Sequence, residues 1–226
     1  MAKVIYSFYI DIPEKELDFF DKNIIKEGAT PTNLNTKIQL KNNHQKLIDC
    51  KKSYANKLGV DFIMFEYDDN FKKYKEDFNK NYPYITSYNI VNFYKIHLLY
   101  ELSKKYDDIL YLDFDVVPTT NQSFFDVWDL SKGICVLENT DKAKKIENIT
   151  EYSQTIRSPT SKYYNAQAML IEKGFSPKNY VINTGIIGAN KEYLNKLKYF
   201  DNFDGDLNMM NNLRGDHGLF PKKIVD

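Results

Sequence analysis

Hydrophobic positions in this chain change period several times, and each change marks an element. Residues 4–10 (VIYSFYI) alternate and are rich in β-formers, which predicts a first strand. Pro13 and the acids after it suit a helix start, with Leu17, Phe20, Ile24 and Ile25 at helical spacing. A polar Thr/Asn/Pro stretch over residues 30–36 predicts a loop. Ile38, Leu40, Leu47, Ile48, Tyr54 and Leu58 predict one long helix, stopped by Gly59. Residues 61–67 (DFIMFEY) read as a compact strand, and residues 68–83 as surface loop or short helix.

The clearest helix is predicted over residues 87–106. Ile90, Phe93, Tyr94, His97, Leu98 and Leu102 keep its period, and Ser87 can cap it. The run ILYLDFDVVP, residues 109–118, then reads as a buried strand, and GICVLE, residues 133–138, as another. Residues 139–158 are polar and lack strong periodicity. Residues 162–173 read as helical, ended by Gly174. YVINTGIIGA, residues 180–189, predicts a strand broken by a polar bend at Asn183, Thr184 and Gly185, and residues 191–200 predict a last helix. Strands alternating with helices predict an α/β fold, with a mixed, mainly parallel sheet flanked by helices. Neither an internal repeat nor a linker interrupts the pattern, so one domain over residues 1–226 is expected.

Composition narrows the classes. The 31 basic and 31 acidic residues cancel, so the chain has no general attraction to nucleic acid or to an anionic membrane. No apolar run approaches the length of a membrane span. The start, MAKVIYSFYIDIPEKE, reads as a strand rather than a signal peptide. Cys50 and Cys135 lie far apart without metal-type spacing, which suggests reduced thiols and a cytoplasmic location.

One local conflict carries the chemistry. Asp113 and Asp115 fall at the end of the most hydrophobic strand. In an open α/β sheet, ligands bind beyond the carboxyl ends of the strands. Two carboxylates so close repel, and desolvation adds to the cost. A divalent cation offsets both, and hard carboxylate oxygens suit magnesium or manganese shared with substrate phosphates. The bare triplet is weak evidence, since roughly two Asp-X-Asp triplets arise by chance in such a composition. A second copy, Asp204-Gly205-Asp206, sits in what reads as a loop. The apolar strand and amphipathic helix before Asp113 give the first copy its weight. Elsewhere the bland reading is favoured. His97 reads as a packed core histidine and Trp128 as a packing residue.

TSYNIVNFYKIHLLYELSKKYDDILYLDFDVVP resembles the core of nucleotide-sugar glycosyltransferases with the GT-A fold. It is most similar to the family of bacterial lipopolysaccharide galactosyltransferases and glycogenin, which has a basic residue on the helix, Tyr-Asp before the strand, and aliphatic-Asp-X-Asp. NTGIIGAN resembles the same family's later Asn-(Ala/Ser)-Gly strand. The resemblance implies a GT-A, Rossmann-like domain that transfers a sugar from a UDP- or GDP-sugar to a carbohydrate or glycoprotein acceptor in polysaccharide biosynthesis, with Mn2+ or Mg2+ as cofactor. It implies Asp113 and Asp115 as metal ligands, with His217 as a third. Phe114 would lie near the ribose, and Tyr9, Ile10 and Asp11 would border the base. Lys95 would meet the pyrophosphate or donor sugar, and Asn183 with Thr184 would face the donor sugar or acceptor. Asp206 and Asp216 are the candidate catalytic residues. The family's Lys-Pro-Trp pattern is missing around them, and the chain ends at Asp226, so a minimal domain and a fragment of a longer protein are both expected readings.

Two rivals remain at this point. LDFDVV also fits the first motif of haloacid-dehalogenase-type phosphohydrolases, with Asp113 as nucleophile and Asp115 as general acid/base. More than a hundred residues precede it, and the usual Gly-Thr after the second Asp is absent. The other rival is a catalytically degenerate transferase that serves as a binding module.

Overall fold

The computed structural model describes residues 1–17, 31–83, 85–139, 148, 167, 170–171, 173–176 and 181–208. Its strands are β1 (Lys3–Tyr9), β2 (Asp61–Glu66), β3 (Asp108–Leu112), β4 (Cys135–Asn139) and β5 (Val181–Asn190). Its helices are α1 (Pro31–Asn42), α2 (His44–Leu58), α3 (Asp69–Asn81), α4 (Ser87–Ser103), the single turn α5 (Phe124–Val127) and α6 (Lys191–Leu197). The strands form one sheet in the order β2-β1-β3-β5-β4. β1 is parallel to β2 and to β3, while β5 runs antiparallel to β3. The expected mixed α/β class is therefore observed. The chain divides into two compact units, residues 1–136 with 184–197 and residues 137–183 with 198–226.

Alternation along the central strands decides which helix covers which face. Val4, Tyr6 and Phe8 of β1 and Ile109 and Tyr111 of β3 belong to one core, with Tyr94, Leu98, Leu99 and Leu102 of α4. Ile5, Leu110 and Leu112 point the other way, into a second core with Tyr54 and Ala55 of α2. A sheet buried on both faces needs continuous apolar runs, and β3 is buried at all five positions. The next residue in register, Asp113, is thus delivered toward the α4 side.

Helix ends follow from local chemistry. Gly59 closes α2 in the left-handed conformation at φ 65°, and Val60 donates back to the Ala55 carbonyl. Asp68 caps α3 by accepting from the Phe71 amide at 2.9 Å. Thr86, not Ser87, caps α4, accepting from the Asn89 amide.

Several expectations need correction. The loop expected over residues 30–36 is already helix from Pro31, where proline's fixed φ fits the first helical position. The long helix bends at Asn43, whose φ of −105° and ψ of 10° leave the α region, and its side chain bonds back to Gln39. Residues 68–83 hold a full helix, because Phe71, Tyr74 and Phe78 recur on its buried side. β5 runs unbroken through Asn183, Thr184 and Gly185, and Asp113 N–H donating to Gly185 O at 2.7 Å carries its pairing with β3 as far as Gly185. Asp204 and Asp206 sit in a helical turn, residues 203–208, rather than in a loop. The helix predicted from Leu17 to Ile25 lies almost wholly outside the described residues.

Candidate active site

Asp113 leaves the end of β3 and opens a tight turn, closed by Val116 N–H donating to Asp113 O at 3.0 Å. Phe114 and Asp115 are its central residues. Because β1 runs parallel to β3, its carboxyl end arrives beside this turn, and the Tyr9 and Phe114 rings lie 4.7 Å apart. Beside them lies a cleft of about 520 Å³ whose lining includes Tyr9, Ile10, Asp11, Asp113, Phe114 and Asp115. The two segments that the sequence singled out separately, Tyr9–Asp11 and Asp113–Asp115, therefore share one cavity. Lys37 of α1, Thr86 at the cap of α4 and Val91 of α4 also border it.

The two carboxylates have different surroundings. Asp113 is about one third exposed, and its Oδ1 accepts from the Tyr111 hydroxyl and pairs with Lys95 Nζ at 3.2 Å. Its Oδ2 has no hydrogen-bond or ion-pair partner among the described residues. Tyr111 is buried, and burial first, then the Asp113 charge, raise its hydroxyl well above the ordinary 10.0, so it stays a donor. Asp115 is exposed and has no hydrogen-bond or ion-pair partner among the described residues.

Lys95 is held in place rather than free to reach. Its side chain is 6% exposed, and Nζ donates to the Thr184 carbonyl at 3.3 Å and hydroxyl at 3.2 Å. It also sits 4.9 Å from the centroid of the Tyr111 ring. Thr184 thereby becomes a partner of Lys95 on β5, while Asn183 beside it is exposed. Asp11 is paired with Lys37 at 2.9 Å. Asp206 is engaged too, its Oδ1 accepting from Lys173 at 2.5 Å and from Asn202 at 3.3 Å. Asp216 and His217 lie outside the described residues.

The donor set fits a hard divalent cation in part. Asp115 and the second oxygen of Asp113 are two unpartnered carboxylate donors at the mouth of a cleft. Among the described residues no group of three His, Cys, Asp or Glu forms a complete metal cluster.

Two residues of the site are not among the sequence candidates, Tyr111 and Lys51. Tyr111 belongs to the apolar strand run, and its hydroxyl, two positions before Asp113, shares the Asp113 face by simple alternation. Lys51, in the middle of α2, is fully buried and donates to the Phe114 carbonyl at 2.6 Å. Nothing in its local sequence, DCKKSY, separates it from a solvated lysine. Of the two bland readings, His97 is packed as expected, its ring 4.7 Å from that of Tyr74. Trp128 instead is half exposed, although its ring lies 6.2 Å from that of Phe124.

Residues 9–211 match Glycosyl transferase family 8, and the chain belongs to that family. The family includes the lipopolysaccharide galactosyltransferases and glycogenin, as the motif resemblance implies. The match sets aside the phosphohydrolase reading of Asp113. A similar solved structure is that of a glycosyltransferase involved in the glycosylation of the major capsid of PBCV-1, at 15% identity and a TM-score of 0.34, covering 88% of this chain and 65% of that one. The chain thus spans less than two thirds of the length of that protein. Comparison with curated proteins gives no match. No described helix is long and apolar enough to cross a membrane.

Proposed function

We propose that the chain is a metal-dependent glycosyltransferase that takes a sugar from a nucleoside diphosphate donor, UDP- or GDP-linked, and passes it to a carbohydrate or glycoprotein acceptor. The observation that carries this reading is the shared cleft, which joins unpartnered carboxylate oxygens at the end of β3 to the aromatic and acidic end of β1. Family membership supports the reaction class.

In this reading Asp113 and Asp115 hold manganese or magnesium, which when bound supplies Lewis-acid stabilisation of the departing diphosphate. Tyr9, Ile10 and Asp11 border the base, and Phe114 lies against the ribose. For the base to use Asp11, its ion pair with the exposed Lys37 opens, which costs little because both partners keep access to water. Lys95 acts on Asp113 rather than directly on the pyrophosphate. It fixes Oδ1 and so turns the second oxygen into the available donor, and it offsets one of two like charges. Thr184 holds Lys95 at the β5 side, and Asn183 faces the sugar or acceptor. His217 as third ligand and Asp206 and Asp216 as catalytic residues remain the candidates for completing the set.

A panel of nucleotide sugars, with manganese, magnesium or chelator, tests this by thermal stabilisation, which grows with ligand affinity for the native state. Metal-dependent stabilisation by one base class, followed by sugar transfer to an acceptor, is expected. Stabilisation without any turnover over a broad acceptor range would favour the degenerate binding module. No stabilisation by any nucleotide sugar or nucleoside diphosphate would refute the donor site.

A further inference from the structure

Lys51 is the least expected residue in the molecule. It lies on α2 with no exposed surface, and lysines are almost never fully buried without a partner. No carboxylate pairs with it among the described residues. Its ammonium meets two neutral carbonyls instead: Leu47 O, one turn back at 3.3 Å, and Phe114 O, 63 residues further on at 2.6 Å. It also lies 5.3 Å from the centroid of the Phe114 ring. Burial lowers its pKa, while the charges of Cys50, Asp115 and Asp113 act in the opposite direction. A buried cation satisfied only by carbonyls costs stability relative to an apolar side chain of the same length. Its presence there calls for a reason outside the core.

The reason lies in what the Phe114 carbonyl controls. That carbonyl belongs to the peptide joining Phe114 to Asp115, and a peptide is planar, so holding its oxygen fixes the plane from which Asp115 departs. The remainder of the turn is pinned by backbone groups: Asp113 N–H on Gly185 O, and Val116 N–H on Asp113 O. The two helical layers then act on the same turn from opposite faces of the sheet. Lys95 of α4 fixes the Asp113 carboxylate, and Lys51 of α2 fixes the peptide ahead of Asp115. Asp115 is left as an exposed carboxylate on an anchored backbone, which is the preorganisation that cation binding rewards.

We propose that Lys51 is a positioning residue of the donor site, holding the Phe114 carbonyl so that Asp115 is presented to the divalent cation of a nucleoside diphosphate. The proposal rests on the donor-site reading above. It also carries an opposite-sign signature: removing the cation relieves the core and disorders the site.

The test compares wild type, Lys51→Met and Lys51→Arg by manganese titration, with electron paramagnetic resonance detection, in the presence of UDP or GDP. Ligand-free thermal unfolding is measured on the same samples. Met keeps the stem and removes the charge, and Arg keeps a buried donor. Loss of a group that orients a metal ligand weakens affinity about 10- to 100-fold. The expected result is a loss in that range for Lys51→Met with an unchanged or higher unfolding midpoint, and a smaller loss for Lys51→Arg. A role confined to packing would lower the midpoint and leave the affinity of the folded protein alone. Equal affinity of wild type and Lys51→Met overturns the proposal and leaves the donor site standing. Failure of Lys51→Met to fold, with Lys51→Arg folded and of wild-type affinity, makes Lys51 a folding residue and also overturns it. Absence of binding by wild type with either nucleotide removes the donor site and this proposal together.

Discussion

Tyr111→Phe isolates one interaction at the site. The substitution removes a single oxygen from a buried ring and leaves its contacts with Tyr6 at 4.9 Å, Phe8 at 5.5 Å and the Lys95 ammonium at 4.9 Å. What disappears is the hydrogen bond to Asp113 Oδ1. A hydrogen bond to a charged group contributes about 1.5–3 kcal/mol. Asp113 keeps Lys95 and is 34% exposed, so water replaces part of the lost bond. That discount brings the expected loss to about 1 kcal/mol, roughly a fivefold change in the folding equilibrium. Urea unfolding followed by circular dichroism reads it as a lower midpoint with an unchanged slope. Because Oδ1 then has one anchor fewer, manganese with UDP or GDP should also bind more weakly. An unchanged midpoint together with unchanged manganese affinity would refute the claim that Tyr111 organises Asp113. A stability loss above about 4 kcal/mol would refute the magnitude, since it exceeds what one half-solvated bond supplies.

Two further outcomes test the frame around the site. A Cβ on Gly188 of β5 would come within 2.6 Å of the Phe124 ring and 3.0 Å of Leu130, so Gly188→Ala should destabilise by about 1–3 kcal/mol through overpacking, and a wild-type thermal midpoint would contradict the packing described. His97 has its pKa lowered from the ordinary 6.5 by burial, with Glu101 opposing and Lys104 assisting. The unfolded chain therefore binds the proton more readily, so this contribution to stability is intact above 6.5 and is lost as pH falls below it, with a slope of at most about 1.4 kcal/mol per pH unit. His97→Gln should flatten that part of the stability–pH curve, and an unaltered curve would show that the ring is not desolvated.

Much of this architecture is legible from period and punctuation. β1, β2 and β3 are short apolar runs bounded by polar residues, and α4 keeps a helical period across four turns, so both layers and the sheet between them follow from pattern. The bend at Asn43 is less visible because Asn is tolerated inside helices, and it shows only in the backbone angles of Asn43 and its side-chain bond to Gln39 O. The bend expected at Asn183–Gly185 is polar in sequence, but β5 continues through it, paired with β3 as far as Gly185. At the site, Asp113 and Asp115 are legible because charge at the end of an apolar strand is a local contradiction. Tyr111 is legible only as a hydroxyl two positions before Asp113 on the same strand face, and Lys51 is not legible at all, because its meaning comes from a contact distant in sequence. A lysine on a helix reads as solvated until the turn it supports is brought against it from 63 residues away.

The most direct test of the donor site is calorimetric titration of manganese together with UDP or GDP into wild type and Asp115→Asn. Asp115 is exposed and unpartnered among the described residues, so the substitution should leave the ligand-free unfolding midpoint where it is. Metal-dependent nucleotide binding by wild type, weakened at least about tenfold in Asp115→Asn, is the predicted result. Equal binding by the two proteins would contradict the account, as would a wild-type protein that binds neither nucleotide.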